Sequence, residues 1–234
     1  MIVYFFRNIT KRDISLNDEV ILTSSKVKPI SNTEIIQEGT SHILSATTKR
    51  RIFFSFSSSL ELVEKYWKRN RDNVGICFLK IDTDNVSKNI LTIFPAYIRK
   101  YWIYEIAKND YLMKEKMILD PATGRKRSIL GLLQPAQRSV SSWSSSMNEI
   151  LIQCKNLKLQ SIEYLSREEL NNISASNDTN IKKFFGEIME KPAIDQFLKL
   201  KKEIIEEVIR AEVKNKYLVN KLLPEIEKEL RGIS

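Results

Sequence analysis

The sequence predicts an α+β fold over residues 1–180 followed by a helical region over 181–234. Three observations predict it. Short runs rich in aromatic and branched apolar residues recur through the first part, each bounded by polar or turn-forming residues, as strands are. One of them, 51–57, leads through three serines directly into an amphipathic segment, Leu60–Trp67. Beyond Ile181 the apolar residues change to helical spacing.

The 234 residues suffice for one large domain, or a medium one with a helical annex. A hydrophobic content of 42% with 9% aromatics supports a packed core and excludes a wholly disordered or fibrous chain. No apolar run approaches the ~18–20 residues that span a bilayer. Residues 1–7 lack the charged start, longer apolar stretch and small-residue cleavage site of a secretory signal. A soluble cytoplasmic protein with no membrane association is therefore expected. Cys77 and Cys154 lie far apart in apolar runs, which reads as two buried thiols. With only two cysteines and one histidine, His42, neither a disulfide framework nor a metal site is expected. Chemistry must come from carboxylates, hydroxyls, arginine and that imidazole.

Element by element, residues 2–6 form a short β-rich run ending at Arg7. Residues 8–48 are rich in Ser, Thr and Asn, with short apolar patches at 20–22 and 43–44 and no sustained period. Residues 51–57 are a strand, and Ser57, Ser58 and Ser59 offer hydroxyl caps to a helix with Leu60, Val63 and Trp67 on one face. Strands follow at 74–81 and 90–94, the second stopped by Pro95. Residues 97–118 mix aromatics with charge and fit either a helix or an extended hairpin. A turn at 120–124, a strand at 128–133, a Ser- and Gln-rich loop at 134–148 and a strand at 149–152 complete this part. Residues 177–179 are the candidate boundary.

Lys and Arg total 38 and Asp and Glu 29, a net charge of +9. Twelve basic and ten acidic side chains lie in 181–234, so +7 belongs to residues 1–180. Such a balance favours polyanionic partners and equally serves solubility. Basic clusters stand at Lys49, Arg50 and Arg51, at Lys65, Lys68, Arg69 and Arg71, and at Arg125, Lys126 and Arg127.

Familiar phosphate-binding and hydrolase signatures are missing. There is no G-x-G-x-x-G, no G-x-x-x-x-G-K-S/T and no G-x-S-x-G, which argues against dinucleotide-fold dehydrogenases, P-loop enzymes and elbow-type serine hydrolases. What remains is an ordered set: Arg7 closing the first strand, His42 ahead of the next, Ser55 and Ser57 within it, and Glu149 opening a late strand. Alternation places Ser55 and Ser57 on one face and Phe54 and Phe56 on the other. Taken singly, each of these also fits an ordinary solvent-facing position.

Together they resemble the ADP-ribosyltransferase fold, in the branch whose pattern runs Arg, Ser-Thr-Ser, Glu and includes cholera-type toxins and DNA-modifying pierisin-like enzymes. The resemblance covers residues 1–165. It implies a split antiparallel β-sheet core, with NAD as substrate. It also implies a catalytic pair, Glu149 and Ser55, with Arg7, His42, Ser55 and Ser57 binding NAD. Phe56 replaces the central threonine, whose side chain points away from the site. Met147 stands two residues before Glu149, where arginine-modifying members carry glutamate and several others glutamine. That disfavours a guanidinium acceptor. The loop before it offers Trp143, Arg138 and Met147 to the acceptor instead.

The chemistry is consistent with this set. Cleaving a nicotinamide–ribose bond builds positive charge on the ribose, as in glycoside cleavage. One carboxylate stabilises that charge, and an arginine makes charge-assisted bonds to the pyrophosphate. The expectation is a mono-ADP-ribosyltransferase modifying a macromolecule, with single-stranded RNA or DNA ahead of protein. It would act as an intracellular toxin or defence effector. The amphipathic 181–234 segment would pack on the core or meet a protein antitoxin or inhibitor. Competing readings are an enzyme that simply hydrolyses NAD and a non-catalytic basic nucleic-acid-binding module.

Overall fold

The structure, a computed structural model, describes residues 1–14, 19–44, 52–67, 72–115, 117–120, 125–128 and 140–189, with Pro192 and Asp195. Contacts divide the chain into two compact units. The first comprises Met1–Ile30, Thr47–Tyr97 and Ser144–Phe185, and the second Ser31–Ala46, Ile98–Trp143 and Gly186–Ser234.

The first unit is built on a six-stranded antiparallel sheet. In chain order its strands are β1 (Ile2–Thr10), β3 (Phe54–Ser57), β4 (Asn73–Asp82), β5 (Ile90–Phe94), β8 (Glu149–Cys154) and β10 (Gln160–Ser161). A separate pair, β2 (Ile21–Leu22) with β9 (Leu157–Lys158), accompanies it. The spatial order is β10-β4-β1-β3-β8-β5. β1 and β4 pair along nearly their whole lengths, from Ile2 opposite Asp82 to Thr10 opposite Asn73. β3 and β8 pair from Phe54 opposite Ile152 to Ser57 opposite Glu149. Between these two ladders, β1 and β3 meet at a single pair, Phe6 with Ser57. The sheet is thus two three-stranded ladders joined at one point.

Both faces of β1 are covered. Val3 and Phe5 are buried on one side. On the other, Phe6 joins Val63, Ile76, Phe78, Leu165 and Ile173 in one cluster. Burying side chains of this size contributes roughly 1.5–3 kcal/mol each. Val63 comes from α2 (Leu60–Trp67), whose Leu62 N–H is capped by the Ser59 hydroxyl at 3.3 Å. Ile173 comes from α6 (Arg167–Ile188), opened by a reciprocal capping box. There the Ser166 N–H donates to Glu169 Oε2 at 2.9 Å and the Glu169 N–H to Ser166 Oγ at 3.1 Å. The buried stripe of α6 is Ile173, Asn177, Ile181, Phe184 and Phe185. Residues 177–179, the candidate boundary, lie inside this helix.

Asn177 ties α6 to the sheet where the ladders part. Its Oδ1 accepts from the Tyr4 N–H at 2.8 Å, and its Nδ2 donates to the carbonyls of Tyr4 (2.7 Å) and Ser58 (2.8 Å). One side chain stands in for the strand residue that β3 does not supply.

The second unit contains α1 (Asn32–Leu44), α3 (Arg99–Ala107), α4 (Asp110–Glu115) and a hairpin of β6 (Met117–Asp120) with β7 (Arg125–Ser128). α3 is buried from Tyr101 to Ala107. Asn109 caps α4 by accepting from the Leu112 N–H at 3.0 Å, and its Nδ2 donates to Thr33 Oγ1 at 2.9 Å.

Several expectations need correction. The first strand does not end at Arg7 but runs on to Thr10, and residues 8–48, which lack a sustained period, also hold β2 and α1, the latter opened by a capping box between Ser31 and Glu34. Of the two alternatives for residues 97–118, the helical one holds over most of the segment, as α3 and α4, and β6 starts at Met117. The described part of the 134–148 loop begins as a short helix, α5 (Val140–Ser145). The strand at 128–133 lies outside the described residues except Ser128, which ends β7. Beyond Ile188 the described residues do not test the helical pattern. Among the described residues, no helix is long and apolar enough to cross a membrane, and no cluster of metal-ligating side chains occurs.

Candidate active site at the break in the sheet

Arg7, Ser55 and Glu149 converge in the first unit, where the two ladders join. Glu149 opens β8 directly opposite Ser57, which makes Ser55 its diagonal neighbour on the same face. The Ser55 hydroxyl donates to Glu149 Oε1 at 2.7 Å. Arg7 reaches across from β1: its Nη1 donates to the Ser55 carbonyl at 3.0 Å, and its guanidinium carbon stands 5.6 Å from the centre of the Phe54 ring. Its Nη2 lies 3.6 Å from Asp13 Oδ1. Arg7, Ser55 and Glu149 line a cavity of about 300 Å³ together with Asn8, Tyr66 and Met147. Ligand sites start at about that volume.

Glu149 is half-buried, and loss of hydration pushes its carboxyl above the ordinary glutamate value while the Ser55 hydrogen bond pulls it back. A cationic ligand beside Glu149 would favour its ionised form.

The entry to β8 is pinned from two sides. The Ser57 hydroxyl donates to the Met147 carbonyl at 2.6 Å, and the Ser58 N–H to the Asn148 carbonyl at 3.1 Å. From the β5 side, the Tyr97 N–H donates to the Glu149 carbonyl at 3.1 Å, and the Ser144 hydroxyl to the Ala96 carbonyl at 2.9 Å. Asn148 takes φ 46°, the left-handed region that asparagine tolerates better than most residues. That turn delivers the Glu149 side chain to the Ser55 face. Asp178 of α6 adds a further brace, accepting from the Tyr97 hydroxyl at 2.7 Å and pairing with Lys182 at 2.6 Å.

Ser57, expected to bind NAD, uses its hydroxyl to hold the Met147 turn and to accept from the Ser59 N–H at 3.1 Å. Met147 lines the cavity and offers it no charge. His42 lies in the last turn of α1, in the second unit. Trp143 is exposed on α5. Arg138 lies outside the described residues, as do 49–51 and 68–71, whereas Arg125 and Lys126 are exposed on β7.

Two residues absent from the sequence expectation belong here. Tyr66, 39% exposed, presents an aromatic ring to the cavity. Its signal was its place in α2 outside the Leu60, Val63 and Trp67 stripe. Asp13 is nearly buried against Arg7, and its signal was the capping box it forms with Thr10. Comparison with known protein families, with curated proteins and with solved structures finds no match to this chain.

Proposed function

We propose that this chain is a mono-ADP-ribosyltransferase that takes ADP-ribose from NAD, its antiparallel sheet forming an ADP-ribosyltransferase-like core. The observation that carries the reading is the 2.7 Å hydrogen bond from Ser55 to Glu149 beside Arg7 at the break between the ladders. In the reaction, the bond between ribose C1′ and nicotinamide nitrogen breaks with its electron pair on nicotinamide. C1′ then bonds to an acceptor heteroatom, which loses a proton. Nicotinamide leaves neutral from a cationic precursor, so no general acid is required.

Glu149 stabilises positive charge on the ribose and accepts from its 2′-hydroxyl. Ser55 holds that carboxylate in place. Arg7 binds the pyrophosphate through charge-assisted hydrogen bonds. Tyr66 gives the cationic nicotinamide ring a face to stack on. His42 is assigned to the adenosine side through the family resemblance alone.

For the acceptor, single-stranded nucleic acid is favoured over protein. Met147 brings no carboxylate or amide to orient a guanidinium. The chain carries a +9 surplus, and Arg125, Lys126 and Trp143 are exposed cations and an exposed ring of the kinds that contact phosphates and bases. An intracellular toxin or defence effector with a protein inhibitor is the role such an activity fits.

The test is to incubate the chain with labelled NAD, alone and with single-stranded RNA, single-stranded DNA or lysate protein, and to follow nicotinamide and label. Nucleic-acid-dependent release with label on the nucleic acid is the expected result. Label on protein alone moves the acceptor to protein, and release needing no acceptor identifies a hydrolase. Nucleic-acid binding without nicotinamide release leaves a non-catalytic module.

A further inference from the structure

We infer that Asp13 is a positioning residue for NAD binding, acting through Arg7; the inference rests on the reading of Arg7 as the pyrophosphate ligand. Asp13 ends a short 3₁₀ turn, Lys11–Asp13, that folds the chain back immediately after β1. Its two carboxylate oxygens have different tasks. Oδ2 accepts from the Thr10 N–H at 3.0 Å and from the Thr10 hydroxyl at 2.8 Å, which fixes the carboxylate to the end of the strand. Oδ1 faces Arg7 Nη2 at 3.6 Å. The side chain of Asp13 is only 6% exposed and that of Arg7 17%, so solvent screens this pair weakly.

The two Nη atoms of Arg7 are thereby held from different parts of the chain: Nη1 by the Ser55 carbonyl of β3, Nη2 by Asp13 beyond the end of β1. A guanidinium gripped at two points has its plane fixed, and a planar fork binds a phosphate well only in the right plane. The capping of the turn alone needs only Oδ2. Aiming Oδ1 at the arginine is the additional feature. The opposite effect is also physical, because an anion beside Arg7 competes with an incoming phosphate for its charge. The two effects predict KM changes of opposite sign.

Asp13→Asn keeps the shape and an acceptor for the Thr10 N–H, so it leaves the turn folded while removing the charge. The expected result is a KM for NAD raised about tenfold with kcat within about twofold, measured as nicotinamide release at matched thermal stability. A second measurement separates positioning from general loosening. In an Arg7→Lys background, Asp13→Asn should change KM by less than twofold, because the planar fork it orients is already gone. Asp13→Asn with an unchanged or lowered KM overturns the inference and leaves the wider reading intact. An equal KM rise in the Arg7→Lys background also overturns it. No NAD turnover by the wild-type chain overturns both.

Discussion

Replacing Glu149 with Gln should make the protein more stable and almost inactive. The side chain keeps its size and can still accept from Ser55, but it no longer ionises. In the folded wild-type chain the Glu149 carboxyl titrates above its ordinary value because burial outweighs the one hydrogen bond that favours the anion. A glutamate whose folded-state value is raised binds its proton more tightly folded than unfolded. Stability therefore falls as pH rises from the unfolded value, about 4.3, through the folded one. Every tenfold of resistance to ionisation costs about 1.4 kcal/mol, less what solvent in the open cavity screens. In a chain of this size each kcal/mol moves Tm by about 2–4 °C. Glu149→Gln should thus melt above wild type at pH 8, with the gap closing towards pH 4. Turnover of NAD should fall at least ~100-fold, the usual result of removing one electrostatic stabiliser. The assay pairs thermal unfolding across that pH range with nicotinamide release. Near-normal turnover refutes the catalytic role, and a Tm gap that is absent or independent of pH refutes the electrostatic account of the site.

Ser55→Ala removes the hydrogen bond that favours the Glu149 anion, so the acid limb of the kcat/KM profile should move to higher pH, with most of the lost activity regained in alkaline buffer. Asn148→Val places a β-branched residue at φ 46° and should cost about 1–2 kcal/mol in denaturant unfolding while lowering turnover; Asn148→Gly should preserve both. Asn177→Ala strands the Tyr4 N–H and the Tyr4 and Ser58 carbonyls, and should lower stability by about 3 kcal/mol in the same assay, since each unsatisfied buried group costs about 1–3 kcal/mol. Arg125→Glu with Lys126→Glu should weaken binding of single-stranded RNA and flatten its dependence on salt, measured by fluorescence anisotropy, while any acceptor-free NAD hydrolysis stays unchanged.

How much of this was legible depended on whether burial and hydrophobicity coincide in a segment. They coincide in 149–152, buried from Ile150 onward, and the elements at 90–94, 149–152 and Leu60–Trp67 stand where the sequence places them. They diverge in α1, whose buried positions are Ile36, Gly39, Thr40 and Ser41. A face made largely of small and polar residues has no apolar period to read. The remaining signal was Ser31 with Glu34, a capping box that outranks the missing stripe. In α6 a single polar residue, Asn177, interrupts an otherwise apolar buried stripe. The residues of the site divide similarly. Arg7, Ser55 and Glu149 sit on strands whose alternation fixes their faces. Asp13 and Tyr66 enter through a turn and a helix end, where spacing alone does not say which way a side chain points.

The break in the sheet explains why these residues stand together. A full ladder between β1 and β3 would satisfy the backbone of both strands and leave no room for a ligand. With one joining pair, the facing backbone groups need other partners, because an unpaired buried group costs about 1–3 kcal/mol. Asn177 takes the Tyr4 groups at one end, and Arg7 takes the Ser55 carbonyl at the other. Arg7 is therefore part of the sheet before it is part of any binding site. Arg7→Ala should then lower stability and NAD affinity together, and neither loss alone identifies its role. Asp13→Asn leaves the bond from Arg7 to Ser55 in place and disturbs the second grip on the guanidinium. A KM effect there, at unchanged stability, separates the arginine's work on a phosphate from its work on the fold.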